Sequence, residues 1–243
     1  MLTVKPARVD EIISRLYSYR VIPGLPMPRP SRHLDRALVA AGRELYPLHG
    51  CAGLTIRQVA EAAEVNIGMF HYHFGTREAF LRAVMQSAYE EMFAQLTVVA
   101  GRESSLRASL GAALRVLGRF LQTNRALIGR IVADALGNHA VARDFLKDNL
   151  PRHFRVILGL IAAGQAAGEF RAVSPAQALA FCAGALAMPI LAGGALVDSG
   201  TLDAGLASEL RLHVLSDDAL EERIDLALAA LTRPPAGLPG ESS

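Results

Sequence analysis

Residues 55–77 of the 243-residue chain run TIRQVAEAAEVNIGMFHYHFGTR. Thr55 followed three positions later by Gln58 is a capping-box pattern, and Ile56, Val59, Ala60 and Ala63 then form one apolar stripe at helical spacing. Glu64-Val65-Asn66 breaks the stripe. Asn66 suits the N-cap of a second helix, Ile67 to Phe74, because its side-chain oxygen can accept a backbone N–H left free in the first turn. Gly75 ends that helix, and Thr76 can cap a third. Two compact helices across a tight turn form the helix-turn-helix arrangement, whose second helix enters the major groove of DNA.

On the C-terminal side, REAFLRAVMQSAYEEMFAQLTVVA carries Phe80, Leu81, Val84, Ala88, Met92 and Leu96 at helical spacing. At ~1.5 Å per residue this helix spans ~35 Å, enough to bridge a head and a second domain. On the N-terminal side, Ser31 is a plausible N-cap for a helix to about His49. Its buried face is Leu34, Leu38, Ala41, Leu45 and Leu48, with Pro47 near its end and Gly50 and Gly53 terminating it. Residues 31–80 therefore read as a three-helix head. Its charge is nearly balanced: over 31–77, Arg32, Arg36, Arg43, Arg57 and Arg77 stand against Asp35, Glu44, Glu61 and Glu64. Residues 1–30 form a separate leader, with a possible short helix Val9 to Tyr19. Pro23, Pro26, Pro28 and Pro30 then forbid a regular helix. Over residues 1–32, Lys5, Arg8, Arg15, Arg20, Arg29 and Arg32 against Asp10 and Glu11 make this stretch basic. It reads as a solvated leader, the alternative being an arm that touches DNA phosphate or the minor groove.

From Ser104 onward every segment is helical in period. The expected helices are Leu106 to Gln122, Asn124 to Leu136 closed by Gly137-Asn138, a short Ala140 to Lys147, and Leu150 to Ala167 with Pro151 in its first turn. Ser174-Pro175-Ala176-Gln177 combines a capping box with Pro at the first helical position and opens an apolar helix to about Leu191. Gly193, Gly194 and Gly200 mark a loop. A last helical zone, Ala204 to Leu231, carries a break near Ser216-Asp217-Asp218, and residues 233–243 form a Pro/Gly-rich disordered tail. No β pattern and no repeat is present, so the fold class is all-α. The apolar mass of Ala, Leu, Val and Gly suits close-packed helices. Residues 178–197 carry no charge over about the length of a membrane span. They are rich in Ala and Gly, interrupted by Pro189 and without basic or aromatic flanks, which favours a buried or interface helix.

The bulk charge of +2 offers no electrostatic footprint for nucleic acid, so DNA binding must be local. Cys51 and Cys182 lie far apart and in no metal-like spacing, which fits a reducing, cytoplasmic setting, and no signal peptide is indicated. His71 and His73, two apart on a helix, diverge by about 200° and cannot share a tetrahedral metal site. No nucleophile–base set, paired carboxylates or Gly-rich phosphate loop is found. No enzyme activity, metal or cofactor is expected. Arg130 and Asp134, at i, i+4, read as a surface pair, with a polar handle in a pocket as the alternative.

Residues 55–81, a capped helix, a turn, a short helix ending in an aromatic/His run and Phe, then a capped long helix, resemble the TetR family of bacterial transcriptional regulators. The resemblance implies residues 31–80 as a DNA-binding head and 81–232 as a ligand-binding and dimerisation domain. It places Thr55 against a phosphate and Arg57 at a base edge or phosphate. A guanine contact by Arg57 would be worth ~1–3 kcal/mol of discrimination. The recognition helix is Asn66 to Phe74. Ile67, Gly68 and Met69 fall at its base-facing end, where Ile67 replaces the polar or basic residue common in the family and offers only apolar contact. Gly68 would let the backbone approach closely. His71 and His73 take positions that hold phosphate oxygens, Tyr72 is either core or a phosphate contact, and Phe70 and Phe74 are core. Arg77 matches the family's usual Lys and would hold a phosphate. Glu64 stands where the family commonly has Gly; at φ > 0 it would cost of order 1 kcal/mol.

These readings converge on a homodimeric regulator, most simply a repressor released from a palindromic double-stranded DNA operator by a small molecule. Dimer contacts are expected from 151–167 and 174–191, with the last helix as a further element, and Phe120, Ile131, Phe154 and Phe181 as pocket candidates. The rival classes are a ligand-binding helical bundle with little DNA activity and a membrane-associated helical protein; membrane partnership is not expected.

Overall fold

The computed structural model describes residues 34–100 and 103–233. Ser31, the leader with its Val9 to Tyr19 segment, and residues 234–243 of the tail lie outside them. Among the described residues the chain is helical, with a lone bridge between Phe170 and Thr232.

The first helical element, α1 (Leu34–Gly53), is two helical pieces that meet at a kink. The kink is Gly50, whose non-helical φ 62°, ψ −168° interrupts the helix where the stop after about His49 is expected. The missing side chain is also what lets the Arg130 guanidinium cross there, since a Cβ would collide with it. The three elements that follow match expectation: α2 (Ile56–Ala62), α3 (Ile67–Phe74) and α4 (Arg77–Val99). Then come α5 (Leu106–Thr123), capped by Ser105, and α6 (Arg125–Leu136).

Two expected boundaries dissolve. Ala140 to Lys147 and Leu150 to Ala167 are one helix, α7 (Ala140–Ala166), which carries Pro151 in its interior. Neighbours from α4 engage the turn that precedes Pro151. Tyr89 donates its hydroxyl to the Asn149 carbonyl at 2.7 Å, and the amides of Gln86 and Asn149 exchange hydrogen bonds at 3.1 and 3.0 Å. Likewise α8 (Pro175–Met188) does not end in a loop at Gly193 and Gly194. It passes through a π-helical turn, Pro189–Gly193, into α9 (Gly194–Asp198). Gly194 is a packing point rather than a stop: a Cβ there would lie 2.9 Å from Arg125 Cδ, whose guanidinium reaches Asp198 at 2.8 and 3.0 Å. The Ser174 side chain makes no cap hydrogen bond, so the capping box expected at 174–177 is absent. The break near Ser216 is real and separates α10 (Ala204–His213) from α11 (Asp217–Leu231), with Ser216 Oγ accepting from the Ala219 amide.

One apolar core runs continuously from Leu38 to Leu231. Phe80, Leu81, Val84, Met85, Ala88, Met92 and Leu96 on α4 form its spine, joining the α1–α3 head to the α5–α11 body. The 24 residues Pro175–Asp198 are long and apolar enough to cross a membrane; an 18-residue window within them has a mean hydropathy of 2.0 and is 28% buried. Phe181, Met188 and Leu196 stand exposed along it.

Candidate nucleic-acid interface and effector cavity

Local capping sets the head's geometry. The Gln58 amide donates to Thr55 Oγ1 (3.3 Å) while the Thr55 amide donates to Gln58 Oε1 (2.8 Å), closing both halves of the capping box. Asn66 Oδ1 accepts from the Gly68 amide at 2.8 Å, and Thr76 Oγ1 from the Ala79 amide at 3.1 Å. Glu64 sits at φ 54°, the left-handed conformation that a side chain resists by roughly 1–2 kcal/mol.

On this frame Thr55 and Arg57 on α2, and Asn66, Ile67, Gly68, His71 and Tyr72 at the start of or along α3, are exposed. Met69 and His73 are half-buried. Tyr72 is thereby settled as surface, 61% exposed, and Ile67 offers a bare apolar side chain, 48% exposed. Phe70 is fully buried, and Phe74 packs on the rings of Phe70 and Phe80. Arg77 is turned inward. Its Nε donates to the Leu54 carbonyl at 2.6 Å and its guanidinium also reaches the Cys51 carbonyl, so it ties the α1–α2 turn to the start of α4.

In the body, α4 to α8 enclose a cavity of about 370 Å³, the size of a small-molecule site. Phe120 and Phe154 line it, as expected, together with Leu117, Ile128, Val132, Leu146, Leu186 and others. Two candidates do not. Ile131 is packed in the core outside the cavity wall, and Phe181 stands 46% exposed on the outside of α8. Leu179, Cys182, Ala183 and Leu186 take the inward phase of that helix, which rotates Phe181 away by about 100°. Sequence inspection missed Tyr89, Asn149 and His153, which also line the cavity. Their signal was a set of polar side chains set into apolar helix faces. Burial holds the Tyr89 hydroxyl well above its ordinary pKa; burial, with Arg152 nearby, lowers the His153 imidazole to about 4.

Head and body meet at a buried carboxylate. Asp134, only 4% exposed, accepts from the Tyr46 hydroxyl and the Cys51 amide, each at 2.6 Å, and from Arg130 Nε at 3.0 Å. Arg130 donates further to the His49 carbonyl at 3.3 Å. Burial alone would raise the Asp134 pKa, but the hydrogen bonds from Tyr46 and Cys51, with Arg130 beside it, hold it below the ordinary value. The pair is therefore neither a surface pair nor a pocket handle: it ties α6 to α1. The same α6 presents Ile128 and Val132 to the cavity. Among the described residues no group of three or more His, Cys, Asp or Glu could hold a metal ion, and both cysteines are buried free thiols.

A capped helix-turn-helix joined by a long helix to an all-helical, cavity-bearing body defines the class of two-part helix-turn-helix proteins. Residues 38–84 match the family model for bacterial regulatory proteins of the tetR family. A 97-residue stretch is 34% identical to the HTH-type transcriptional regulator TcmR of Streptomyces glaucescens; it covers 40% of this chain and 42% of that protein, less than half of the relative's length. Among solved structures, a TetR family transcription regulator from Marinobacter aquaeolei aligns over 84% of this chain and 97% of its own, at 16% identity and a TM-score of 0.60. Bacillus subtilis FadR in complex with stearoyl-CoA aligns over 80% and 98%, at 12% identity and a TM-score of 0.60. At these identities the likeness is one of fold. Residues 38–84 are thus similar to bacterial regulatory proteins of the tetR family, and most of the chain shares the fold of solved TetR family regulators.

Proposed function

We propose that the chain is a cytoplasmic, homodimeric regulator that binds a palindromic operator through α2 and α3 and leaves it when a small molecule fills the body cavity. Residues 31–80 serve as the DNA-binding head and 81–232 as the effector and dimer domain. The observation that carries this reading is the double duty of α6: Ile128 and Val132 face the cavity, while Arg130 and Asp134 on the same helix hold the Tyr46–Cys51 end of α1. An effector that favours one setting of α6 thereby favours one setting of the head, and operator affinity falls by the effector's differential affinity for the two settings.

On the DNA side, Arg57 and the start of α3 face base edges, with Ile67 reading by apolar contact such as a thymine methyl. Thr55, His71, Tyr72 and His73 engage the backbone. Arg77, already committed to two carbonyls, positions the head and lends its charge near the N-terminus of α4. The pairing surface is drawn from α8–α9 with α11. Ala180, Phe181, Gly184, Met188, Ala192 and Leu196 form an exposed uncharged stripe there, and Leu226 is exposed on α11, whereas the 151–166 part of α7 exposes no large apolar side chain. Two heads in such a dimer meet successive major grooves ~34 Å apart.

A gel-shift titration with the DNA flanking the chain's own gene tests the reading. A specific, salt-sensitive shift is expected, with a footprint of two inverted half-sites; no specific shift at low salt refutes it.

A further inference from the structure

We propose that the body cavity takes an uncharged, mainly apolar organic molecule bearing one hydrogen-bond donor, such as a phenolic or alcoholic hydroxyl, set against Nε2 of His153. The inference deepens the reading of the cavity as the effector site and rests on it.

No Asp, Glu, Lys or Arg lines the cavity among the described residues. A carboxylate or ammonium brought inside would lose its water with no counter-charge in the wall to replace it. The polar groups that do line it are almost all spent on one another. The single proton of the Tyr89 hydroxyl goes to the Asn149 carbonyl, 2.7 Å away. The Asn149 side-chain amide donates to Gln86 Oε1 (3.0 Å) and the Phe145 carbonyl (2.9 Å), and its oxygen accepts from Gln86 and Arg152, each at 3.1 Å. Neither residue has hydrogen-bonding capacity to spare.

His153 is different. Its Nδ1 lies 3.3 Å from the Tyr89 hydroxyl oxygen. With the tyrosine proton already directed at Asn149, Nδ1 must carry the hydrogen and donate, a role the ring also plays toward the Asn149 backbone carbonyl. Burial keeps the ring neutral at physiological pH. A neutral imidazole protonated at Nδ1 has a lone pair at Nε2, and no described residue donates to it. His153 lines the cavity, and since Tyr89 engages Nδ1, Nε2 is the ring nitrogen left for an occupant. An apolar guest with one donor completes that acceptor, while Leu117, Phe120, Leu146, Phe154 and Leu186 take its hydrocarbon.

The full chain is titrated calorimetrically at pH 7.5 with 4-hexylphenol, with 4-hexylanisole (the same oxygen without its proton) and with 4-hexylbenzoate. The phenol is expected to bind roughly 3- to 10-fold tighter than the anisole, the yield of one net hydrogen bond, and the benzoate weakest. His153→Phe should erase the phenol's advantage while anisole binding persists, and His153→Gln, which restores an acceptor, should recover part of it. Should the Phe variant fail to fold, the ranking in the unaltered chain decides. Equal phenol and anisole affinities, or benzoate binding as tightly as phenol, overturn the proposal and leave the effector reading standing. If none of the three binds, the effector reading falls with it.

Discussion

The Asp134 carboxylate and the Tyr46 hydroxyl, 88 residues apart in sequence, meet at 2.6 Å in the buried seam between body and head. With the Cys51 amide and Arg130 on the same carboxylate, Asp134→Ala leaves three donors unanswered and should destabilise the chain by about 3 kcal/mol in urea unfolding. Tyr46→Phe removes one donor and should cost about 1–2 kcal/mol. The folded carboxyl titrates below its ordinary 3.8, so its contribution is present at neutral pH and is lost only as pH falls below that value. The stability gap between wild type and Asp134→Ala should therefore narrow as pH falls below 3.8. A smaller loss for Asp134→Ala than for Tyr46→Phe would remove Asp134 from the centre of the joint.

Ile67 and Arg77 should separate in kind. Ile67→Ala leaves stability nearly unchanged, because the side chain is exposed, but alters the ranking of operator variants in competition gel shifts. Arg77→Ala strips the Leu54 and Cys51 carbonyls of a charged donor, lowering stability by about 1–3 kcal/mol and weakening every operator alike. If Arg77→Ala weakens DNA binding with no change in melting temperature, its brace role is wrong.

Glu64 at φ 54° holds a strained backbone and a negative charge on the head. Glu64→Gly should raise stability by about 1 kcal/mol and tighten DNA binding most at low salt. An unchanged unfolding midpoint would argue that the strain is absent in solution.

Met188, 64% exposed in the middle of the apolar α8–α9 stripe, lies at the centre of the pairing surface inferred above. Met188→Glu would bury a charge without a partner there. Sedimentation analysis should show monomers, with operator binding weakened because two linked heads no longer act together. A variant that remains dimeric would move the interface elsewhere.

His153 sets a second pH dependence. Its ring takes up a proton near pH 6.5 in the unfolded chain but only near 4 in the folded one. Stability is then greatest above pH 6.5 and erodes as pH falls from 6.5 toward 4, by roughly 2–3 kcal/mol. His153→Phe should flatten that arm of the stability–pH curve.

Signals that act within one helical turn were legible in the chain. Thr55 with Gln58, Asn66 and Thr76 cap the helices they precede, since a cap needs only its own next three residues. The exposed face of α3 and the resemblance it carries followed from the same short range, as did the all-α class. Signals that depend on what lies across the fold were not. Pro151 read as a helix start and Gly193 with Gly194 as a loop, and all three are carried inside continuous helical segments. Ser174 has every residue of a capping box and does not form one.

The spacing of Arg130 and Asp134 was plain from the chain, but their burial depends on Gly50 leaving room for a guanidinium from a helix some 80 residues away. Likewise, Phe120 and Phe154 against Ile131 and Phe181 is a question of rotation about a helix axis, where one residue's step of about 100° separates a cavity wall from open surface. Periodicity shows that a helix has an apolar face. Only packing against neighbours distant in sequence decides whether that face meets a core, a cavity or a second molecule, because burial energy is a property of the assembled surface rather than of any local stretch of chain.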